Sequence, residues 1–176
     1  MNIGALQLLD GKPEAAVATL DRAIAIDPKY ALAVYNRGFA YFSLKQYDKA
    51  IADYSAAIAL NPGMGLAYNN LGLTRAIVGT DLKQALTDSD QALKLLPLNI
   101  EVRDTRGFIY LKLGEPALAL KEYDAALTID PNRAVSLYGR GLARIRMGDS
   151  AGKSDQQAAL TINPEVANEF AVYGLQ

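Results

Sequence analysis

Proline recurs along this chain at a nearly constant interval. Pro28, Pro62, Pro97, Pro131 and Pro164 are separated by 34, 35, 34 and 33 residues. An Asp or Asn stands directly before four of these five prolines. A fixed period of this length is typical of chains that stack one supersecondary unit many times, because a single unit cannot bury its own apolar face. The proline spacing therefore predicts a repeat architecture.

Columns of small residues keep the same period as the prolines. About 24 residues before each proline stands a glycine: Gly4, Gly38, Gly72, Gly107 and Gly141. Five residues before each proline stands an alanine: Ala23, Ala57, Ala92, Ala126 and Ala159. A glycine inside a helix costs about 1 kcal/mol relative to alanine, so five of them predict that a partner helix approaches closely. Seven residues after the first glycine, four of the five repeats have a second glycine, and the second repeat has Lys45 there instead. We expect the first helix of each unit to end at this position in a left-handed residue.

Each repeat is therefore predicted to form two helices. We expect helices at about 2–10, 13–26, 30–43, 47–60, 65–78, 82–95, 100–113, 116–129, 133–147, 150–162 and 164–173. The Asp/Asn-Pro pairs are expected to end the second helix and to begin the next one, as N-cap and first helical residue. Residues 1–176 would then form one repeat domain, with units at about 1–30, 31–64, 65–99, 100–133 and 134–163 and a final capping helix at 164–173.

Two repeats match a known pattern in detail. The second reads Val34-x₂-Arg37-Gly38-x₂-Tyr41…Ala50-x₃-Tyr54…Pro62, and the fourth reads Arg103-x₂-Arg106-Gly107-x₂-Tyr110…Ala119-x₃-Tyr123…Pro131. This resembles the tetratricopeptide repeat, W-x₂-L-G-x₂-Y…A-x₃-F…P, over nearly the whole chain. The closing segment 168–174 resembles that of bacterial members, so we expect a natural C-terminus. Met1 lies only three residues before Gly4, so we expect the first helix to be clipped or the first unit to be an imperfect natural cap. The resemblance implies an all-α fold, a right-handed solenoid of stacked antiparallel helix pairs.

The resemblance also implies a function. In this family the first helix of every unit lines the concave side of the superhelix, where an extended peptide or a partner helix binds. The residues expected to line that groove are Leu32, Tyr35, Asn36, Phe39, Phe42, Leu66, Asn69, Asn70, Leu73, Glu101, Asp104, Phe108, Tyr138 and Leu142. An asparagine offers a donor and an acceptor, so Asn36 and Asn70 suit a peptide backbone, although both would equally satisfy hydrogen bonds between helices. Glu101 and Asp104 favour a basic ligand.

Three arginines occupy equivalent positions where the family pattern has leucine. They are Arg37, Arg106 and Arg140, and the acids Asp53, Glu122 and Asp155 recur one residue before the aromatic column. We expect each arginine to bridge the acid of its own unit, because a guanidinium fork suits a partly buried carboxylate. Asp88 faces Leu71 instead, so we expect it to find another partner or water.

Composition argues against several other functions. The chain has no Cys and no His, which removes the usual zinc ligands and the commonest general base, so we expect no metal, no cofactor and no catalytic site. The 18 basic and 19 acidic residues leave no basic patch for nucleic acid. No apolar stretch is long enough for membrane insertion and no signal peptide is evident, so a bacterial cytoplasm or periplasm would fit equally. The predicted function is a non-catalytic interaction module for a protein or peptide partner, and the alternative is a structural protein that forms homo-oligomers through its terminal units.

Overall fold

The computed structural model describes residues 3–175, and all regular structure in that range is α-helical. The helices are α1 Ile3–Leu9, α2 Pro13–Ile26, α3 Ala31–Ser43, α4 Tyr47–Leu60, α5 Gly65–Val78, α6 Leu82–Leu95, α7 Ile100–Leu113, α8 Pro116–Ile129, α9 Ala134–Arg146, α10 Gly152–Ile162 and α11 Val166–Val172. Every predicted boundary lies within two residues of the observed one. The predicted all-α solenoid of antiparallel helix pairs is confirmed.

The contacts between helices show which side of the stack is concave. Each odd-numbered helix contacts the next odd-numbered helix, whereas even-numbered helices contact only their neighbours along the chain in residues 3–175. Layers that lie closer together on one side curve toward that side. The odd-numbered helices therefore line the inner, concave face, and the even-numbered helices form the outer face.

The glycines of the first column are buried at helix contacts, as predicted. A Cβ atom on Gly107 would lie 2.7 Å from Cζ of Tyr123, and one on Gly72 would lie 2.9 Å from the carbonyl oxygen of Ala85. Both distances are shorter than real Cβ contacts, so a larger residue at either position would force the two helices of the unit apart. Close helix approach explains why glycine recurs in mid-helix.

The turns inside the units need a left-handed residue. Gly11, Gly79, Gly114 and Gly148 have φ angles of 68° to 81°. Lys45, the exception noted in the sequence, adopts the same conformation with φ of 58°. The turn of the second unit therefore has the same geometry, although a left-handed backbone is strained for a residue with a side chain such as Lys45.

The prediction that the Asp/Asn-Pro pairs begin the following helix is wrong. Asp27 is the C-cap of α2, and α3 starts after Tyr30. The Asp27 carboxylate accepts a hydrogen bond from the backbone N–H of Lys29, two residues on, and Asn61 accepts from Gly63 in the same way. These side chains thus form Asx turns between units, an arrangement that Asp and Asn share because their short side chains reach the backbone.

The predicted bridges within units are present. Arg37 donates to Asp53 through Nε and Nη2, both at 2.8 Å, and Arg140 donates to Asp155 at 2.8 and 2.7 Å. Arg106 donates to Glu122. Asp88, which faces Leu71, is bonded by Arg75 from one turn further along α5 and by Gln84.

Each of the three arginines also reaches an acid of the preceding unit, which the sequence analysis did not anticipate. Arg37 contacts Asp21 at 2.7 Å, Arg106 contacts Asp90 at 2.8 Å and Arg140 contacts Asp124 at 3.2 Å. Asp21, Asp90 and Asp124 stand two residues before the alanine column of their units. The arginine column therefore links successive units as well as the two helices of one unit.

Candidate functional site

The groove residues predicted from the sequence lie on the concave face, but their side chains differ widely in solvent exposure. Exposed are Leu32, Phe39, Leu66 and Glu101. Half-buried are Tyr35, Phe42, Asn70, Leu73 and Tyr138. Buried are Asn36, Asn69, Asp104, Phe108 and Leu142. The exposed aromatic surface thus lies toward the N-terminal units, and the C-terminal part of the face is more enclosed.

A pocket of about 250 Å³ opens on this face between α5, α7, α9 and α11. Six of the predicted groove residues line it: Asn69, Asn70, Leu73, Glu101, Asp104 and Phe108. It is completed by Thr105, Arg133, Val135, Glu169, Phe170 and Tyr173. The other predicted residues, from Leu32 to Leu66 and at Tyr138 and Leu142, lie outside it.

The last helix forms one wall of the pocket. The Phe170 ring lies 5.1 Å from the Tyr138 ring and 6.3 Å from the Phe108 ring, between centroids, and the Tyr173 ring lies 6.1 Å from Phe108. Lys112 of α7 donates to the carbonyl oxygen of Tyr173 at 2.9 Å. Helix α11 therefore packs over the inner helices α7 and α9, and it brings Glu169 to the pocket. The apolar stripe of Val166, Phe170 and Tyr173 signals that α11 packs, but not that it packs beside the groove.

The asparagines of α5 are partly committed to contacts between helices. Nδ2 of Asn70 donates to the hydroxyl oxygen of Tyr35 at 3.1 Å, across the boundary between α3 and α5. Nδ2 of Asn69 donates to Oδ1 of Asn70 at 3.4 Å. Oδ1 of Asn69 is buried and accepts no hydrogen bond from residues 3–175. The pocket wall therefore contains one buried polar atom without a partner.

The charged groups of the pocket differ in how far they are neutralised. Asp104 accepts hydrogen bonds from Arg133 Nε and from the hydroxyl of Ser136. Burial nevertheless raises the pKa of the Asp104 carboxyl above its ordinary value. Glu101 is exposed, and none of the hydrogen bonds or ion pairs of residues 3–175 involves its side chain. The pocket thus combines one satisfied ion pair with carboxylates that remain available.

Other kinds of site find little support in residues 3–175. No three His, Cys, Asp or Glu side chains in that range are grouped to hold a metal ion. Within the same residues, no helix combines the length and the apolar character that crossing a membrane requires.

These features define an α-helical repeat protein with a concave groove, and comparison with known families identifies its family. Models of the tetratricopeptide repeat match residues 31–64 and 100–133, and a further TPR repeat model matches residues 9–45. Together the models cover more than half of the chain. The chain belongs to the tetratricopeptide repeat family.

Relatives and solved structures agree with this assignment. The BBSome complex member BBS4 of Bos taurus is 32% identical over 139 residues, which are 79% of this chain and 26% of that protein. The chain thus spans about a quarter or less of the length of the curated relatives it matches. The crystal structure of MamA has a TM-score of 0.78 at 20% identity over 96% of this chain and 98% of that one. YrrB, described as a TPR protein with an unusual peptide-binding site, has a TM-score of 0.72 at 23% identity over 96% and 88%.

Proposed function

We propose that this chain is a non-catalytic interaction module that binds an extended peptide along its concave face. The observation that carries the proposal is the pocket on that face, built by residues from α5, α7, α9 and α11. A binding site assembled from several units suits a ligand that runs along the stack, because each unit then contributes one contact. The description of YrrB as a peptide-binding TPR protein supports the same class of ligand.

The exposed apolar side chains of α3 and α5 would anchor the part of the peptide that lies over the N-terminal units. Phe39 is 40% exposed, and Leu32 and Leu66 are 45% and 42% exposed. Aromatic side chains dominate the energetics of most protein interfaces, so Phe39 is the best single anchor on this part of the face. Asn70 lines the pocket and bonds Tyr35 of α3, and the oxygen of its side chain would accept from a peptide backbone.

Selection of peptides from a random displayed library, followed by calorimetry on the full chain, tests the proposal. Phe39→Ser should weaken the selected peptide at least tenfold, about 1.4 kcal/mol. Ile129→Ser is the matched control, because Ile129 is 46% exposed on the outer helix α8. A second pair compares Asn70→Ala with Gln157→Ala, which truncates an exposed amide on the outer helix α10.

Equal affinity for Phe39→Ser and the unaltered chain, together with loss of binding in Ile129→Ser, would place the site on the outer face and refute the groove.

We further propose that residues 1–176 act as one repeat domain with no affinity for nucleic acid. Light scattering over a hundredfold range of concentration tests the alternative of self-assembly. A mass that increases with concentration would favour homo-oligomers formed through the terminal units.

A further inference from the structure

The pocket on the concave face has apolar walls and an acidic rim. Leu73, Phe108, Val135, Phe170 and Tyr173 supply carbon surface from four different helices. Its volume of about 250 Å³ is the room that about eight water molecules occupy at about 30 Å³ each. This is enough for one long side chain, and carbon walls favour one with an aliphatic stem.

Two carboxylates of the pocket remain available, beside the Nη groups of Arg133, which make no hydrogen bond within residues 3–175. Glu101 makes no ion pair within residues 3–175, and Glu169 accepts only one hydrogen bond there, from Asn163 at 3.2 Å. Asp104 and Arg133 neutralise each other. Two carboxylates therefore remain to attract a positive charge, and exposed carboxylates beside a low-dielectric wall concentrate that attraction.

A second observation points to the same kind of ligand independently of the charges. Asn69 lines the pocket, is 3% exposed, and has an Oδ1 atom without a donor. Among the buried side-chain polar atoms of residues 3–175 that lack a partner, this Oδ1 is the one that belongs to a pocket residue, and such an acceptor suits a donor from a ligand. The missing partner is a hydrogen-bond donor.

From these observations we propose that the pocket binds the side chain of a lysine or arginine of the peptide partner. The aliphatic stem lies against Phe108, Phe170 and Leu73, and the cationic head meets Glu101, Glu169 and the side-chain Oδ1 of Asn69. Aromatic rings near the head add a cation–π attraction. The inference rests on the proposed function for the peptide that carries the side chain, and it makes helix α11 part of the binding site.

The test uses small probes, so that it does not depend on finding the partner. Nα-acetyl-lysine methylamide and Nα-acetyl-arginine methylamide are titrated into the full chain, and backbone amide shifts are followed by NMR. Nα-acetyl-norleucine methylamide has the same stem without the charge, and the glutamate derivative has the opposite charge. We expect saturable shifts with both cationic probes around residues 69–73, 101–108 and 166–173, in the millimolar range that a ligand of about 14 non-hydrogen atoms reaches.

Paired variants separate the pocket from general attraction of cations. Glu101→Gln with Glu169→Gln should weaken the lysine probe at least fivefold, and Asn69→Ala should weaken it about threefold. Glu14→Gln with Glu115→Gln removes the same charge from the outer helices α2 and the start of α8, and should change the affinity less than twofold.

The inference is overturned if the cationic probes cause no saturable shift, if norleucine binds equally well, or if the two pairs of variants behave alike. These results are distinguishable from failure of the groove. Library peptides that lack Lys and Arg, and that lose affinity in Phe39→Ser but not in Glu101→Gln with Glu169→Gln, would retain the peptide groove and remove the cationic pocket.

Discussion

The junction between the second and third units differs from the junctions that carry an arginine. At those junctions one guanidinium bonds two acids, as Arg37 bonds Asp53 of its own unit and Asp21 of the preceding one. At the second junction Leu71 replaces the arginine, and Ser55 stands where the preceding unit would supply the acid. Both members of the pair between units are absent together, whereas the acid within the unit, Asp88, persists. Arg75 bonds Asp88 there, from one turn further along α5.

The comparison teaches that the two bonds of each arginine have separate requirements. A buried carboxylate needs a cation, which can come from more than one position of the helix. The half-exposed carboxylate of the preceding unit is useful only when the arginine itself is present. Four experiments test this difference, beginning with the one that we expect to have the largest effect.

Arg37→Met should have the largest effect on stability. Asp53 has a side chain that is 10% exposed and accepts hydrogen bonds only from Arg37 among residues 3–175. Removing one member of a buried pair costs about 3–5 kcal/mol, and we expect about 3 kcal/mol here by urea denaturation. Arg140→Met should cost about half as much, because Arg144 still bonds Asp155 at 2.7 Å. Lys121→Met, on the outer surface, is the control, and equal losses in all three variants would contradict this ranking.

Installing the missing pair is the second test. Leu71→Arg alone should destabilise, since Leu71 is 3% exposed and packs with Tyr54 and Ala50. Adding Ser55→Asp should recover about 1 kcal/mol, which a double-mutant cycle measures as coupling between the two positions. In Leu71→Met the added aspartate has no cation to meet, so no coupling is expected there. Absence of coupling in the arginine pair would show that position 71 does not have the geometry of position 37.

Asp88 gives a third test through pH. Burial raises the pKa of the Asp88 carboxyl above its ordinary value, despite Arg75. The folded state therefore retains a proton that the unfolded chain has lost, and the contribution of Asp88 to stability decreases as pH rises just above that ordinary value. The unfolding free energy of the unaltered chain minus that of Asp88→Asn should accordingly decrease as pH rises above about 4, the ordinary pKa of an aspartate. Thr87→Ala adds no titrating group and should give a constant difference. An increase with pH would reverse the sign of the argument.

The smallest effect is expected from the acids of the preceding units. The side chains of Asp21 and Asp124 are 51% and 50% exposed. Asp21→Asn should cost about 0.5 kcal/mol at low salt and almost nothing in about 1 M salt, where the Debye length is about 3 Å. Asp48→Asn, an exposed acid on α4 without an arginine, serves as control. A salt-independent loss above about 1 kcal/mol would mean that the bonds between units contribute as much as those within them.

Much of the fold was predictable because it depends on local periodicity. The proline, glycine and alanine columns fixed the helix boundaries to within two residues, since helix ends follow from turn residues close in sequence. The bridges within units were predictable for the same reason, because both partners recur at one spacing. The second acid bonded by each arginine could also have been predicted, since Asp21, Asp90 and Asp124 recur at one position of their units. That prediction requires comparing these acids with the arginines of the following unit.

The pocket was only half predictable. Its walls from α5 and α7 follow from the family resemblance, whereas those from α11 do not. Phe108 and Tyr173 are 65 residues apart, and whether they meet depends on the rotation accumulated over two units. Small differences in packing set that rotation, and no local pattern encodes it. Glu169 looks like an ordinary solvent-facing residue of a capping helix, and only the superhelix brings it to the pocket that Glu101 also lines.

The position of Tyr173 has a practical consequence for tethering. Because its carbonyl oxygen is held by Lys112 and its ring faces Phe108, the chain leaves the last helix next to the groove. A segment fused after the C-terminus through a short flexible linker would meet the concave face at an effective concentration in the millimolar range. Weak ligands, which dissociate when they are added as separate molecules, would then occupy the groove of the chain to which they are fused. The C-terminus is thus the natural attachment point for capturing them, and a poor one for an affinity tag.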